Sequence, residues 1–146
     1  MKFIWIIITL LSGAFLPIQA GFNSRLGKAI DSPVNASLIS FIVGAFSVLL
    51  YSILTKQHVA WTGLRAAPAY VWIAGLLGAF YVTSIVLAFP RIGPALTFGL
   101  VVAGQMIMSV LLDHFNILVS QQHLISIWKV LGITLIVIGV IIIRKS

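Results

Sequence analysis

Five long apolar runs, each bounded by proline, glycine or charged residues, constrain this chain more than any other feature of its sequence. A helix needs roughly 20 mostly apolar residues to cross a bilayer. Backbone groups in lipid must be hydrogen-bonded within their own segment, so the runs are predicted to be helices rather than strands. The composition agrees, because 61% of the residues are hydrophobic and only 8% are charged, against about 25% charged in a soluble domain.

The sequence therefore predicts an all-α, polytopic membrane protein in which residues 1–146 form one five-helix transmembrane domain. The first run could instead be a signal peptide, since Lys2 precedes it and Ala20 ends it. Ile18 occupies the position where a cleavage site needs a small residue, and this favours a spanning helix. The predicted spans are residues 3–20, 34–54, 68–89, 95–112 and 124–143.

The charged residues argue against a nucleic-acid partner and against an enzyme. The formal net charge is +7, but the basic residues sit singly at the ends of apolar runs, where they meet lipid headgroups. The only carboxylates, Asp31 and Asp113, lie at span ends, and the chain has no cysteine. Ser126 and Lys129 have the spacing of a serine–lysine acylation pair, but its supporting motifs are missing. No catalytic residue, metal site or cofactor is predicted, and Asp113 is the candidate for any proton-linked step.

Uncharged polar side chains inside the spans are the candidate substrate contacts. Ser12, Gln19 and Asn23 share one face of the first span, and Gln105 lies in a spaced polar series of the fourth. Such side chains can hold helices together by hydrogen bonds, or they can line a polar cavity. A large amide is costly to leave unpaired in lipid, so we interpret Gln19, Asn23 and Gln105 as cavity residues, with Tyr81 of the third span as a weaker candidate.

Small residues and proline mark predicted sites of helix packing and bending. Pro17 removes a backbone hydrogen bond and can kink the first span. Gly75 and Gly78 of the third span belong to small-xxx-small pairs that permit close helix contact. Gly132 and Gly139 are seven residues apart and share one face of the last span.

The charged residues that flank the spans favour neither orientation in the membrane clearly. Successive spans end on alternate sides of the membrane, and lysine and arginine favour the cytoplasmic side. One side receives four cations, which are Lys2, Lys56, Arg65 and Lys129. The other side receives five, which are Arg25, Lys28, Arg91, Arg144 and Lys145. Either one topology is fixed by other signals, or chains insert both ways.

Several motifs resemble those of a bacterial family, the YdcZ-type half-size members of the drug/metabolite transporter (EamA-like) superfamily. They are residues 17–27 (PIQAGFNSRLG), 38–44 (LISFIVG), 75–82 (GLLGAFYV) and 93–99 (GPALTFG), with Gly104-Gln105 and Asp113-His114-Phe115. The resemblance implies an inner-membrane carrier or exporter of small molecules, one half of a ten-helix fold made of two inverted units. More distant small multidrug exporters use a glutamate in their first helix, where this chain has Gln19, so the resemblance does not extend to their proton coupling.

Two hypotheses from different classes follow. The first is a secondary transporter, an exporter as the resemblance implies, that binds a small molecule between the two copies of a homodimer. An odd number of spans cannot form an inverted repeat within one chain, so an antiparallel dimer would supply it. The second is a non-transporting membrane subunit that stabilises or regulates a partner protein. A channel is a third option, but no ring of charge is visible in the sequence.

Overall fold

Each of the five spans predicted from the sequence corresponds to a helical segment in the structure. The computed structural model describes residues 2–119 and 121–145. Within these residues there is no strand, and five helical segments are long and apolar enough to cross a membrane, which confirms the all-α class. The helices are α1 (Lys2–Ala29), α2 (Pro33–Leu54), α3 (Trp61–Ala66), a 3-10 helix (Ala69–Trp72) continued by α4 (Ile73–Ile92), α5 (Pro94–Phe115) and α6 (Ile127–Lys145). The short α3 lies in the connection between the second and third spans.

The chain divides into two compact units. The N-terminal unit (Met1–Arg91) contains α1, α2, α3 and nearly all of α4, and in it α1 packs against α2. The C-terminal unit (Ile92–Ser146) contains α5 and α6, which pack against each other.

The first helix is longer than its apolar run. Residues 21–25 were expected to close the first span near residue 20, yet α1 continues without interruption to Ala29. Pro17 lies inside α1, and Pro90 lies inside the last turn of α4. Hydropathy reports which residues suit lipid, whereas a helix ends where its backbone hydrogen bonds end. The polar last turns of α1 therefore stay helical beyond the apolar run.

Three helices end in turns of the same type, and the left-handed residue of each turn is not glycine. Asp31, Lys56 and Asn116 follow α1, α2 and α5 in the left-handed conformation, with φ of 51°, 52° and 54°. The next residue in each case donates its N–H to a carbonyl five residues earlier, for example Ser32 to Gly27 at 2.9 Å. This is the hydrogen bond of a Schellman motif. Ser32 then begins α2, because its hydroxyl accepts a hydrogen bond from the Asn35 N–H at 3.2 Å.

Two glycines permit the closest helix approaches, and they are not the ones that the sequence singled out. A Cβ at Gly27 would lie 3.0 Å from Cα of Pro33, and a Cβ at Gly99 would lie 3.0 Å from Cγ2 of Val140. These positions bring α1 onto the start of α2 and α5 onto α6. A Cβ at any of the four glycines named from the sequence would meet nothing within 4 Å; these are Gly75, Gly78, Gly132 and Gly139.

Candidate functional site

Polar side chains from three helices meet inside the N-terminal unit. Gln19 and Asn23 are four residues apart on α1, so they project from one face of that helix. Asn23 is buried, with 7% of its surface exposed, and its Nδ2 donates a hydrogen bond to Oγ of Ser40 on α2 at 3.2 Å. Tyr81 of α4 borders the same cavity as Gln19 and Asn23. We call Gln19, Asn23, Ser40 and Tyr81 the polar cluster.

The cavity at the polar cluster is narrow, and it contains an unused hydroxyl. Its free volume is about 10 Å³, roughly the space that one water molecule needs. The hydroxyl oxygen of Tyr81 is buried and has no hydrogen-bond partner among the described residues. The rest of the wall is apolar and comes from α1 and α4, including Leu16, Ile85 and Val86. A buried tyrosine hydroxyl usually finds a partner, so this one marks a place where a ligand group or a water would be bound.

A wider groove adjoins the cluster on the side of α2. Its free volume is about 450 Å³, and Gln19, Ser40 and Val82 border it together with Gly44 and Val48. Gln19 lines both the narrow cavity and this groove. Gln19 is therefore common to the narrow cavity and to the wider, mostly apolar groove.

The chemistry of the cluster is hydrogen bonding without charge. No described residue that lines the cavity or the groove is ionisable at neutral pH. Two amides and two hydroxyls can each donate and accept hydrogen bonds. Such a site can bind amide, hydroxyl or carbonyl groups of a small molecule, but it offers no counter-ion to a charged one.

The other polar residues of the first and fourth spans are placed differently. The hydroxyl of Ser12 donates to the Ile8 carbonyl of its own helix at 2.8 Å, and Thr97 is buried and donates to the Gly93 carbonyl at 2.7 Å. Gln105 is exposed on α5 of the C-terminal unit and borders none of the cavities described here. The side chains of Gln19 and Asn23 are thus brought together with Tyr81, whereas Ser12 and Thr97 bond their own helices.

Asp113 is part of an ion pair rather than a free, solvated helix end. One of its carboxylate oxygens, Oδ2, lies 3.1 Å from Nζ of Lys129, and both side chains are about 30% exposed. Nζ of Lys129 also donates to the carbonyl of His123 at 3.1 Å. The hydroxyl of Ser126 accepts a hydrogen bond from the backbone N–H of Lys129 at 3.3 Å, so the serine–lysine spacing is explained by the start of α6. These contacts hold the connection between α5 and α6.

His114 is the histidine that lies within one of the spanning helices. It occupies the last turn of α5, and its Nδ1 is buried without a hydrogen-bond partner among the described residues. No group of three or more histidine, cysteine, aspartate or glutamate side chains in residues 2–119 and 121–145 could hold a metal ion.

Ser40 is the member of the polar cluster that sequence reasoning did not select. Serines inside apolar helices commonly bond a carbonyl one turn earlier, as Ser47 does with Val43 at 2.8 Å. Ser40 instead accepts a hydrogen bond from Asn23. Only the packing of α1 on α2 distinguishes the two serines, so no local pattern would have identified Ser40.

Comparison with known proteins identifies the family. Residues 4–142 match the family described as "Putative inner membrane exporter, YdcZ". The chain is also similar to the inner membrane protein YdcZ of Escherichia coli (strain K12), at 32% identity over 108 residues that cover 72% of this chain and 71% of that protein. No solved structure matches the chain. The family description is that of a transport protein and not of an enzyme.

The family match spans all five apolar helices. Together these findings identify a multi-pass protein of the bacterial inner membrane. The chain therefore belongs to the YdcZ family of the drug/metabolite transporter superfamily.

Proposed function

We propose that the chain is a secondary transporter that exports a small polar metabolite or drug, and that the polar cluster binds this substrate. The observation that carries the proposal is the buried Tyr81 hydroxyl, which has no hydrogen-bond partner among the described residues and lies in a cavity that is lined by two amides and otherwise by apolar residues. An unpaired buried hydroxyl costs roughly 1–3 kcal/mol. A substrate that supplies the missing hydrogen bond would recover this energy in the bound state only.

Gln19 and Asn23 have different tasks in this proposal. Asn23 is buried and bonded to Ser40, so it fixes the geometry of the cluster and offers its remaining amide oxygen to the substrate. Gln19 is exposed and borders both the cavity and the groove, so its amide is free to contact a substrate that arrives through the groove. Pro17, which precedes Gln19 by two residues, gives α1 a point of bending.

The proposed assembly is an antiparallel homodimer, in which each five-helix chain supplies one half of a ten-helix transporter. Many transporters bind substrate between inverted repeats, and a chain with five spans has no inverted repeat of its own. The flanking cations divide four against five, so neither insertion is strongly favoured. Gly75, Gly78, Gly132 and Gly139 leave open faces on α4 and α6, which suit contact with a second copy.

Gln105 and Asp113 have secondary places in the proposal. Gln105 carries an exposed amide on α5 and is proposed as a further substrate contact. Asp113 is proposed as the group for a proton-linked step, which would require separation of its ion pair with Lys129. Replacing Asp113 by asparagine would then alter the pH dependence of transport while binding at the polar cluster persists.

Transport by the purified protein tests the proposed function. A thermal-shift screen against metabolites would identify ligands, since a ligand that binds only the folded state raises the melting temperature. Uptake of a ligand found in this way would then be measured in proteoliposomes. Gln19→Leu is expected to abolish the shift and the uptake without loss of folding, because leucine suits both lipid and helix. Asn35→Leu, at an exposed amide outside the cavities, is the matched control.

Binding without transport by the purified protein would favour the alternative of a membrane subunit. Loss of folding in Gln19→Leu, with no specific effect on ligand, would show that the amide holds helices together.

Added charge tests the antiparallel dimer. Two lysines inserted in the connection between Thr55 and Ala67 should drive one topology and reduce transport. Co-expression with a variant biased in the opposite direction should restore it. C-terminal reporter fusions that read a single side of the membrane, before and after the added lysines, would contradict the dual insertion.

A further inference from the structure

A second cavity lies where α1 ends, α2 begins and α4 makes its last turn. Its free volume is about 270 Å³. Ser24, Lys28 and Asp31 are its polar lining residues, and Gly27, Pro33, Val86 and Pro90 complete the wall. We call this space the boundary cavity. It is separate from the cavity at the polar cluster, although Val86 contributes to both.

The two charges of the boundary cavity are not used by the protein. The ion pair found among the described residues joins Lys129 to Asp113, and no described residue pairs with Lys28 or Asp31 within 4.0 Å. The hydroxyl of Ser24 likewise makes no hydrogen bond to a described residue. One cation and one anion that border the same space without meeting are complementary to a ligand that carries both charges.

The local backbone holds these groups in place. Asp31 adopts the left-handed conformation, with φ of 51°, and the hydrogen bond from Ser32 to Gly27 closes the turn around it at 2.9 Å.

The boundary cavity lies at the depth of lipid headgroups. From Lys2 to Lys28, α1 measures about 39 Å at 1.5 Å per residue. A bilayer with its headgroup layers is about 40–45 Å thick. If Lys2 lies in one headgroup layer, Lys28 lies in the other, and so does the cavity that it borders.

We propose that the boundary cavity binds the phosphoethanolamine headgroup of a membrane phospholipid. Lys28 and Ser24 donate hydrogen bonds to the phosphate, and Asp31 accepts a hydrogen bond from the primary ammonium. A choline headgroup has no N–H to donate to Asp31. A glycerol headgroup has no cation for it, and would leave that carboxylate unmatched.

The test measures lipid-dependent stability of the full chain purified in detergent. The melting temperature is followed while short-chain phosphatidylethanolamine, phosphatidylcholine or phosphatidylglycerol is added. Phosphatidylethanolamine should reach half of its effect at a concentration about tenfold lower than phosphatidylcholine, because a hydrogen bond between charged groups is worth that factor or more. Lys28→Gln should weaken the effect of all three lipids.

Replacement of Asp31 isolates the ammonium contact. Asp31→Asn and Asp31→Gly should both erase the preference for phosphatidylethanolamine over phosphatidylcholine. Glycine also relieves the left-handed backbone, so this variant should fold at least as well as the original chain. Lys56→Gly is the matched control, since Lys56 has the same backbone conformation at the end of α2 and does not line the boundary cavity. Its lipid preference should be unchanged.

Two outcomes would overturn the proposal. Equal responses of the original chain to the three lipids would exclude headgroup recognition, and a preference that survives in Asp31→Gly would exclude Asp31 as the ammonium ligand. Soluble glycerophosphoethanolamine tests the source of the headgroup. A much weaker response to it than to the lipid supports a phospholipid, whereas equal responses would overturn the assignment to a lipid.

Discussion

Removal of the Tyr81 hydroxyl should change the stability of the protein and its affinity for ligand in opposite directions. This oxygen is buried without a hydrogen-bond partner among the described residues, and Tyr81 borders the narrow cavity together with Val82 and Ile85. Tyr81→Phe keeps the ring and deletes only the oxygen. The folded protein loses no hydrogen bond that it makes by itself, so we expect the variant to be more stable without ligand and to bind ligand more weakly.

The expected increase in the free energy of unfolding follows from the cost of burying an unsatisfied polar group, which is roughly 1–3 kcal/mol. The cavity has a free volume of about 10 Å³, so a single water could satisfy part of the hydroxyl's hydrogen-bonding capacity. We therefore expect about 1 kcal/mol. For a chain of this length, 1 kcal/mol raises the melting temperature by about 2–4 °C.

Thermal unfolding of purified Tyr81→Phe in detergent, with and without ligand, measures both effects. Tyr51→Phe is the matched control, since Tyr51 is 66% exposed on α2 and should change neither stability nor binding. A clear loss of stability in Tyr81→Phe would show that the hydroxyl has a partner in the folded protein. An undiminished ligand response would remove Tyr81 from the proposed binding site.

Three further predictions concern helix contacts. Gly27→Ala should lower the free energy of unfolding by about 1–3 kcal/mol, measured by thermal unfolding, because the added methyl group overpacks the turn into α2. Gly75→Ala places its methyl group in open space, so it should be neutral or raise helix stability by up to about 1 kcal/mol. Gly99→Ala should also destabilise the fold, because the new methyl group would lie too close to Cγ2 of Val140. Adding Val140→Ala should restore much of the lost stability, and equal losses in the single and double variants would contradict that contact. Asp113→Asn should release Lys129 and speed proteolysis between α5 and α6, and an unchanged cleavage rate would show that the ion pair does not hold this connection.

The existence of the spanning helices could be predicted from sequence, but their ends could not. Apolar runs identify which segments suit lipid, and all five correspond to helices. The end of α1 is decided by the turn at Asp31, a residue that carries no helix-stop signal of the kind glycine provides. Gly21, which does look like such a signal, lies inside the helix.

The composition of the polar cluster could be predicted in part. Residue type and spacing put Gln19 and Asn23 on one face, since an amide in an apolar span needs a partner. Tyr81 joins them only through the packing of the N-terminal unit, and Ser40 is indistinguishable by pattern from serines that bond their own helix. Gly27 was overlooked for a similar reason, because one glycine beside a turn resembles many others until the approach of Pro33 is known.

The apolar part of α6 is short for the membrane that it crosses. Between Lys129 and Arg144, residues 130–143 measure about 21 Å at 1.5 Å per residue, whereas the hydrocarbon core is about 30 Å thick. Hydrophobic mismatch of this kind is met by local thinning of the bilayer or by long side chains that reach toward water. Lys129 is tied to Asp113, which restricts that reach. Bilayers with longer acyl chains should therefore deform more around this helix, and the protein should be sensitive to membrane thickness as well as to headgroup chemistry.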